Sequence, residues 1–411
     1  MTNLTTLNEI KQSLTFYEAF DTKKLTTVEE LSQHITLLVS VEESESFFIS
    51  AYLNLENDHN GWRKALEERA LILRRILKGH QLTDFEESIR RIEYWMDTEL
   101  HPDAKGVAIF VRGTFGGQFM LPMQFAAPLP NLIAIYSTPN IYHLVELKDN
   151  YDRYVILFAM ADKVSILDVN LGAATTLALI NRSELRMRVG SKWTRTHYQF
   201  HRSQRGERFL HKIEILQKLM HAGGQAHLIL AGDPEITSRI RHALPTNLMD
   251  KLVDVIPASK RDRKSDVVLA TLSSFIEYEE QESQSITERL IEGVRSQNLA
   301  VAGSAATLDA LCWGEVDILV MASSYQPDPG WFCTNCHHMG AELPEDSICS
   351  HCAEPTVRSM DVREAILRLA GQIDCPVEVV EQSDALMALG GVGCLISATA
   401  EMQNKPPVSF N

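Results

Sequence analysis

Two cysteine pairs carry the most specific chemistry in the chain. Cys333-Thr334-Asn335-Cys336 and Cys349-Ser350-His351-Cys352 stand twelve residues apart. Each pair places two thiolates on one tight turn, and two such turns can close a tetrahedron around a zinc ion. The spacer is shorter than usual for this pattern, and His337, His338 and His351 are competing donors. Four free surface thiols are the plainer alternative. With all four positions filled by protein, no place is left for water, so the predicted zinc is structural rather than catalytic. The seven cysteines are an odd number, which fits metal ligation plus buried thiols better than a disulfide framework.

A second stretch, residues 186–209, interleaves cations with flat rings. Arg188, Lys192, Arg195, Arg202, Arg205 and Arg208 alternate with Trp193, His197, Tyr198, Phe200 and His201. Cations meet phosphates while rings and guanidinium planes stack on unpaired bases, so these eleven residues are candidate RNA contacts. A solvated loop with a few aromatics tucked into the core would show the same pattern. Charge strengthens the first reading. From Arg182 to Lys218 ten basic residues face three acidic ones, a window of +7 in a chain of −15, which leaves −22 elsewhere.

Signals for catalysis are poor. No phosphate-binding Gly-x-x-x-x-Gly-Lys-Ser/Thr, no His-Glu-x-x-His and no strand-bound Gly-x-Gly-x-x-Gly occurs, and "GGVG" (390–393) is too short to claim phosphate binding. Asp162, Asp168 and Asp233 at strand ends could gather a metal, but read better as turn residues. The tripeptide Gly-Gly-Gln occurs twice, at 116–118 between two predicted strands and at 223–225 after a predicted helix. Both places call for turn glycines.

The elements that must position these residues follow from periodicity. With 411 residues the chain exceeds one comfortable core, and 45% apolar against 23% charged residues is ordinary globular composition. No run of about 18 apolar residues is present, and the start "MTNLTTLNEIKQSL" is not a secretory signal, so a cytosolic protein without a membrane span is expected. The first 45 residues are polar and weakly helical. A strand at 47–55 is followed by a helix over 61–79, with Trp62, Ala65, Leu66, Leu73, Ile76 and Leu77 on one face, and by another over 85–100. Strands at 106–111, 118–123 and 131–136 complete a first domain, 1–150. A second, 151–275, holds strands "YVILFAM", "VSILDV" and "TTLALI", then the basic segment, a helix over 206–223 and the strand "AHLILAG". A glutamate-rich stretch (Glu277, Glu279, Glu280, Glu282) marks the next boundary. The third domain, 276–411, alternates helices and strands around a zinc ribbon at 331–355. The fold class is therefore α/β, in three domains.

This order is similar to that of the archaeo-eukaryotic translation termination factors and their ribosome-rescue relative Pelota. "SAYLNLE…RKALEERALILRRIL…FEESIRRIEYW…GVAIFV…NLIAIY" follows their N-terminal domain, and "YVILFAMADKVSILDVNLG" with "AHLILAGDPEITSRI" their middle domain. "TLDALCWGEVDILVM" and "SDALMALGGVGCLISA" resemble their C-terminal domain, where a Cys-x-x-Cys ribbon also occurs in archaeal members. The resemblance covers roughly residues 45–400 and implies a tRNA-mimicking arrangement, ribosome binding through rRNA of the A site, decoding centre and peptidyl-transferase centre, and a translational GTPase partner. Two signatures are missing. The family's catalytic Gly-Gly-Gln precedes the long helix of the middle domain, where this chain has "GSKWTRTHYQFHRSQRGERF". The stop-codon motif Asn-Ile-Lys-Ser is replaced by "KGHQLTD" (78–84). A member without either resembles the Balon-type ribosome hibernation factors of bacteria, which implies elongation factor Tu as the GTPase and no catalysis. A release or rescue hydrolase with a divergent loop, and a protein-only adaptor on the same fold, are the alternatives.

Overall fold

A computed structural model describes residues 24–396 except 42–46, 59–60, 114–118, 161–162, 182–212, 223, 260, 297–298, 315 and 345–347. The chain forms two compact units, residues 1–150 with 280–411, and residues 151–279.

The first part opens with α1 (Val28–Val39), whose start is fixed by a capping box. Thr27 accepts from the Glu30 N–H, and the Glu30 carboxylate accepts from the Thr27 N–H. The spacing Thr-x-x-Glu was readable in the polar N-terminal segment. Then come β1 (Phe48–Asn54), α2 (Trp62–Ile76), α3 (His80–Thr98), β2 (Gly106–Arg112), β3 (Phe119–Phe125), β4 (Leu132–Tyr136) and α4 (Tyr142–Asn150). The sheet is antiparallel in the order β3-β2-β1-β4, and its central strand pairs Ala51 with Ile109 on one side and with Ile133 on the other. Alternate residues Ile49, Ala51 and Leu53 meet Trp62, Leu66 and Ala70 of α2 and Phe85, Ile89 and Ile92 of α3 in one core. The expected α2 stripe is shifted at its end. Ile76, the last helical residue, lies at the rim of that face and is 69% exposed, while Ala70 is buried. The second helix starts earlier than the expected 85, since α3 already begins at His80. Gly79, at φ +58°, makes the reversal in a position that L side chains rarely adopt.

The second unit contains β5 (Tyr154–Ala159), β6 (Lys163–Asn170), β7 (Ala173–Asn181), a helix α5 over 213–222, β8 (His227–Gly232), α6 (Pro234–Ala243), α7 (Thr246–Met249) and β9 (Leu252–Pro257). Its sheet runs β7-β6-β5-β8-β9. The β7-β6-β5 side is antiparallel, and β5, β8 and β9 are parallel. Ile213, Leu216 and Met220 of α5 pack on one face of the sheet with Ile240 and Leu248. Val267 and Phe275 of α8 (Lys264–Arg295) pack on the other. The boundary expected at 275/276 falls inside this helix. Glutamate is a good helix former, and the glutamate-rich stretch is a solvated part of one continuous 32-residue helix rather than a linker.

The last part has β10 (Ala300–Ala302), α9 (Ser304–Trp313), β11 (Val316–Ala322), β12 (Gly330–Cys333), β13 (Met339–Gly340), β14 (Val357–Met360), α10 (Val362–Gln372), β15 (Val377–Val380), α11 (Asp384–Ala388) and β16 (Val392–Ile396). The main sheet is β10-β16-β11-β15, and β13-β12-β14 is a separate three-stranded ribbon inserted between β11 and α10. The fold is mixed α/β with this ribbon as an excursion. The first and last expected domains keep their own sheets, yet they pack as one unit. Glu364 of α10 accepts from the side chain of Asn140 (2.7 Å) and from the N–H groups of Ile141 (2.7 Å) and Tyr142 (3.3 Å), which caps α4 from far along the sequence. Arg368 donates to the carbonyls of Leu38 and Val41 at the end of α1, and the Val379 N–H donates to Asp149.

Candidate metal centre and the two Gly-Gly-Gln positions

β12 and β14 pair from Gly330↔Met360 to Cys333↔Val357, which delivers the first cysteine to the end of the ribbon. Two turns of the same design follow. In the first, the His337 N–H donates to the Cys333 carbonyl at 2.9 Å with His337 at φ +58°. In the second, the Ala353 N–H donates to the Cys349 carbonyl at 2.9 Å with Ala353 at φ +59°. These left-handed residues, neither of them glycine, turn each pair back so that its sulfurs face inward.

The four sulfurs converge. Cys333 and Cys352 lie 3.6 Å apart, Cys336 and Cys349 3.5 Å, and all four Sγ atoms are within 4.8 Å of one another. Sulfurs at 2.3 Å from a central ion in tetrahedral geometry are about 3.8 Å apart, so the cluster has the dimensions to bind a metal ion. Cys333 and Cys349 are buried, and Cys336 and Cys352 are half-buried.

The surroundings favour thiolate at Cys333. Burial opposes ionisation of Cys333, but the Thr356 hydroxyl at 3.0 Å and the N–H groups of Cys336 and Asn335 outweigh it and draw its thiol down to about 6. Cys336, desolvated and facing the other sulfurs, is pushed up to about 12. A further N–H, from His351, points at Cys349 Sγ at 3.4 Å. Donors to sulfur are the usual support of thiolate ligands. Thr356 is the supporting residue that sequence reading missed, and no spacing rule would have flagged it. His338 and His351 stack on each other at 5.1 Å as exposed rings, and the converging donors are the four cysteines.

The other predicted site residues divide differently. Arg188, Lys192, Trp193, Arg195, His197, Tyr198, Phe200, His201, Arg202, Arg205 and Arg208 lie outside the described residues. The first Gly-Gly-Gln, 116–118, also lies outside them; the strands flanking it pair antiparallel with Arg112 opposite Phe119.

The second is described at Gly224 and Gln225. Gly224 has φ +68° just past α5. Gln225 is 2% exposed, and its side-chain amide donates to Asp168 Oδ1 at 2.9 Å. Its carbonyl accepts from Lys251 Nζ at 2.6 Å. Asp168 is in turn held by Arg153 through Nε at 2.8 Å and Nη2 at 2.9 Å. Asp168 is thus a strand residue in a buried ion pair, not the turn residue expected. Asp233 is the N-cap of α6, accepting from the Glu235 N–H. Asp162 lies outside the described residues. Among the described residues no helix is long and apolar enough to cross a membrane.

Residues 139–275 match the family model of bacterial archaeo-eukaryotic release factor family 10, so the resemblance to release factors holds for that stretch. No curated protein matches the chain by sequence. Among solved structures, the chain is similar to the archaeal translation termination factor aRF1, at 13% identity over 92% of this chain and 99% of that one, TM-score 0.25. It is also similar to Archaeoglobus fulgidus Pelota (11%, 90% and 92%, TM-score 0.33). The third is S. cerevisiae Dom34, a translation termination-like factor (10%, 73% and 82%, TM-score 0.38).

Proposed function

We propose that this chain is a ribosome-binding factor of release-factor type that occupies the A site without hydrolysing peptidyl-tRNA and so holds idle ribosomes dormant, as Balon-type factors do. The observation that carries the non-catalytic part is the state of Gln225. A catalytic Gly-Gly-Gln needs bare glycine backbone and a free glutamine beside the ester. Here the glutamine side chain is buried and its amide donates to Asp168, while the backbone carbonyl of Gln225 accepts from Lys251. The other copy belongs to a hairpin connection of the first part of the chain, between β2 and β3. The place of the family's catalytic loop is filled by bulky cationic and aromatic residues, which cannot bring backbone that close to an ester.

In this reading the 186–209 segment reaches toward the peptidyl-transferase centre and contacts rRNA, and the first part of the chain faces the decoding centre. The last part engages a translational GTPase, with elongation factor Tu the expected one. The four cysteines hold a zinc ion, whose role is to fix the ribbon. A sulfur-only donor set at these separations suits zinc, and the ribbon's own three small strands bury too little to hold it unaided.

The test uses ribosomes carrying peptidyl-tRNA. The expected result is stable cosedimentation with no release of peptide above background. Release of peptide at a rate dependent on this protein would sink the dormancy reading in favour of a hydrolase.

A further inference from the structure

A second basic stretch lies in the turn between β9 and α8. "SKRDRKSD" (259–266) holds Lys260, Arg261, Arg263 and Lys264 against Asp262 and Asp266. Lys260 lies outside the described residues, and every residue from Arg261 to Asp266 is exposed. Both acids are engaged locally. Asp262 accepts from the Ser259 N–H (2.7 Å) and hydroxyl (2.9 Å), and Asp266 from the Arg263 N–H (3.2 Å) and the Ser265 hydroxyl (3.2 Å). Those bonds hold the Asp262 carboxyl below its ordinary range, so it stays an anion committed to the turn. Among the described residues none of Arg261, Arg263 and Lys264 pairs with a carboxylate; Lys264 Nζ lies 3.4 Å from the Thr176 hydroxyl on β7.

This arrangement breaks a local rule. Three cations stand at the start of a 32-residue helix, where the backbone dipole disfavours positive charge. Asp266 in the first helical turn answers part of this conflict, and the cations left over point to a partner outside the fold.

The sheet register says which partner. β5 ends at Ala159, which pairs with Gly232 at the end of β8; Gly232 pairs with Pro257 at the end of β9, and the Ala258 N–H then donates to the Gly232 carbonyl. On the other side Ala159 pairs with Val164, and Lys163 pairs with Asn181 at the end of β7. The 259–264 turn therefore leaves the same end of the sheet as the strand that leads into the +7 window, the two strands lying about 19 Å apart at ordinary strand spacing. Both concentrations of positive charge in this unit are rooted at one end of one sheet, in a chain of net −15.

We propose that Arg261, Arg263 and Lys264 form a phosphate-contacting surface for RNA backbone at the carboxyl end of the β5-β8-β9 strands. The ligand class is the phosphodiester, read without base specificity, because exposed cations on a rigid turn position a strand but carry no donor-acceptor code. The inference rests on the RNA-binding part of the proposed function.

The experiment is the triple variant Arg261→Gln, Arg263→Gln, Lys264→Gln in the full chain, bound to purified ribosomes and separately to a mixed-sequence RNA duplex over a salt series. At 150 mM salt the expected loss is roughly ten-fold on ribosomes, and the slope of log K against log salt falls by about one unit per cation that contacts a phosphate. The melting temperature stays level or rises, because cations leave a helix N-terminus. Unchanged affinity and slope on both RNAs overturn the proposal, including the case where the turn serves an acidic protein instead. If the wild type binds the duplex but not ribosomes, the proposed function fails, and a smaller slope in the variant still upholds the surface. If it binds neither, both fall.

Discussion

At the scale of single residues, Glu364 is the most demanding group in the molecule. Its carboxylate is buried and receives three N–H donors but no direct cation. The Arg363 guanidinium lies instead over the Tyr142 ring at 4.1 Å. Desolvation dominates, with Asp361 adding to it against the opposing backbone donors and Arg363, and the carboxyl is pushed up to about 7. The folded protein therefore holds this proton more tightly than the unfolded chain. The associated stability is complete below about pH 4.5 and is lost as pH rises through about 7, with roughly 3 kcal/mol as the upper bound. Thermal unfolding at pH 5 and pH 8 should show wild type losing more stability at the higher pH than Glu364→Gln. Equal losses would mean that the carboxyl titrates as an ordinary glutamate. Gln225 shows the same lesson differently: an identity that spells catalysis in one setting is here a buried link between Asp168 and Lys251.

At the scale of elements, the ribbon depends on its sulfurs. Beyond the cysteines, its buried side chains among the described residues are few, chiefly Trp331 and Met339 with Val357 partly covered. Gly340 is needed beneath Trp331, since a Cβ there would lie 2.6 Å from the indole nitrogen. Cys333→Ser with Cys336→Ser should abolish bound zinc by elemental analysis and raise amide exchange over 330–360, while the β10-β16-β11-β15 sheet keeps its protection. Retention of one equivalent of zinc by the double variant would refute the site.

At the scale of the whole molecule, charge is the organising fact. An acidic chain gathers its largest surplus of cations in one window of +7. Charge reversal of Arg202 and Arg205 should weaken ribosome cosedimentation and make the remainder less sensitive to salt. Unchanged cosedimentation across a salt series would remove the 186–209 segment from the RNA-binding reading and favour the protein-only adaptor.

The sequence by itself determined the strands and amphipathic helices of 47–136 and the strands of 154–180, because periods of 2 and 3.6 are local properties, but not α4, β9 or the length of α8. It also determined the four cysteines that cluster, because paired spacing is local, and the charge window. It did not determine how far one helix runs: the glutamates at 277–282, which mark a boundary in the sequence, lie inside α8. It could not show that the first and last parts pack as one unit, since Glu364 meets Asn140 across 224 positions of chain. Nor could it show that Gln225 faces Asp168, or that β7 and the 259–264 turn meet at one end of a sheet. Those are facts of register and burial, fixed only when distant segments close on one another and each buried polar group must find its partner.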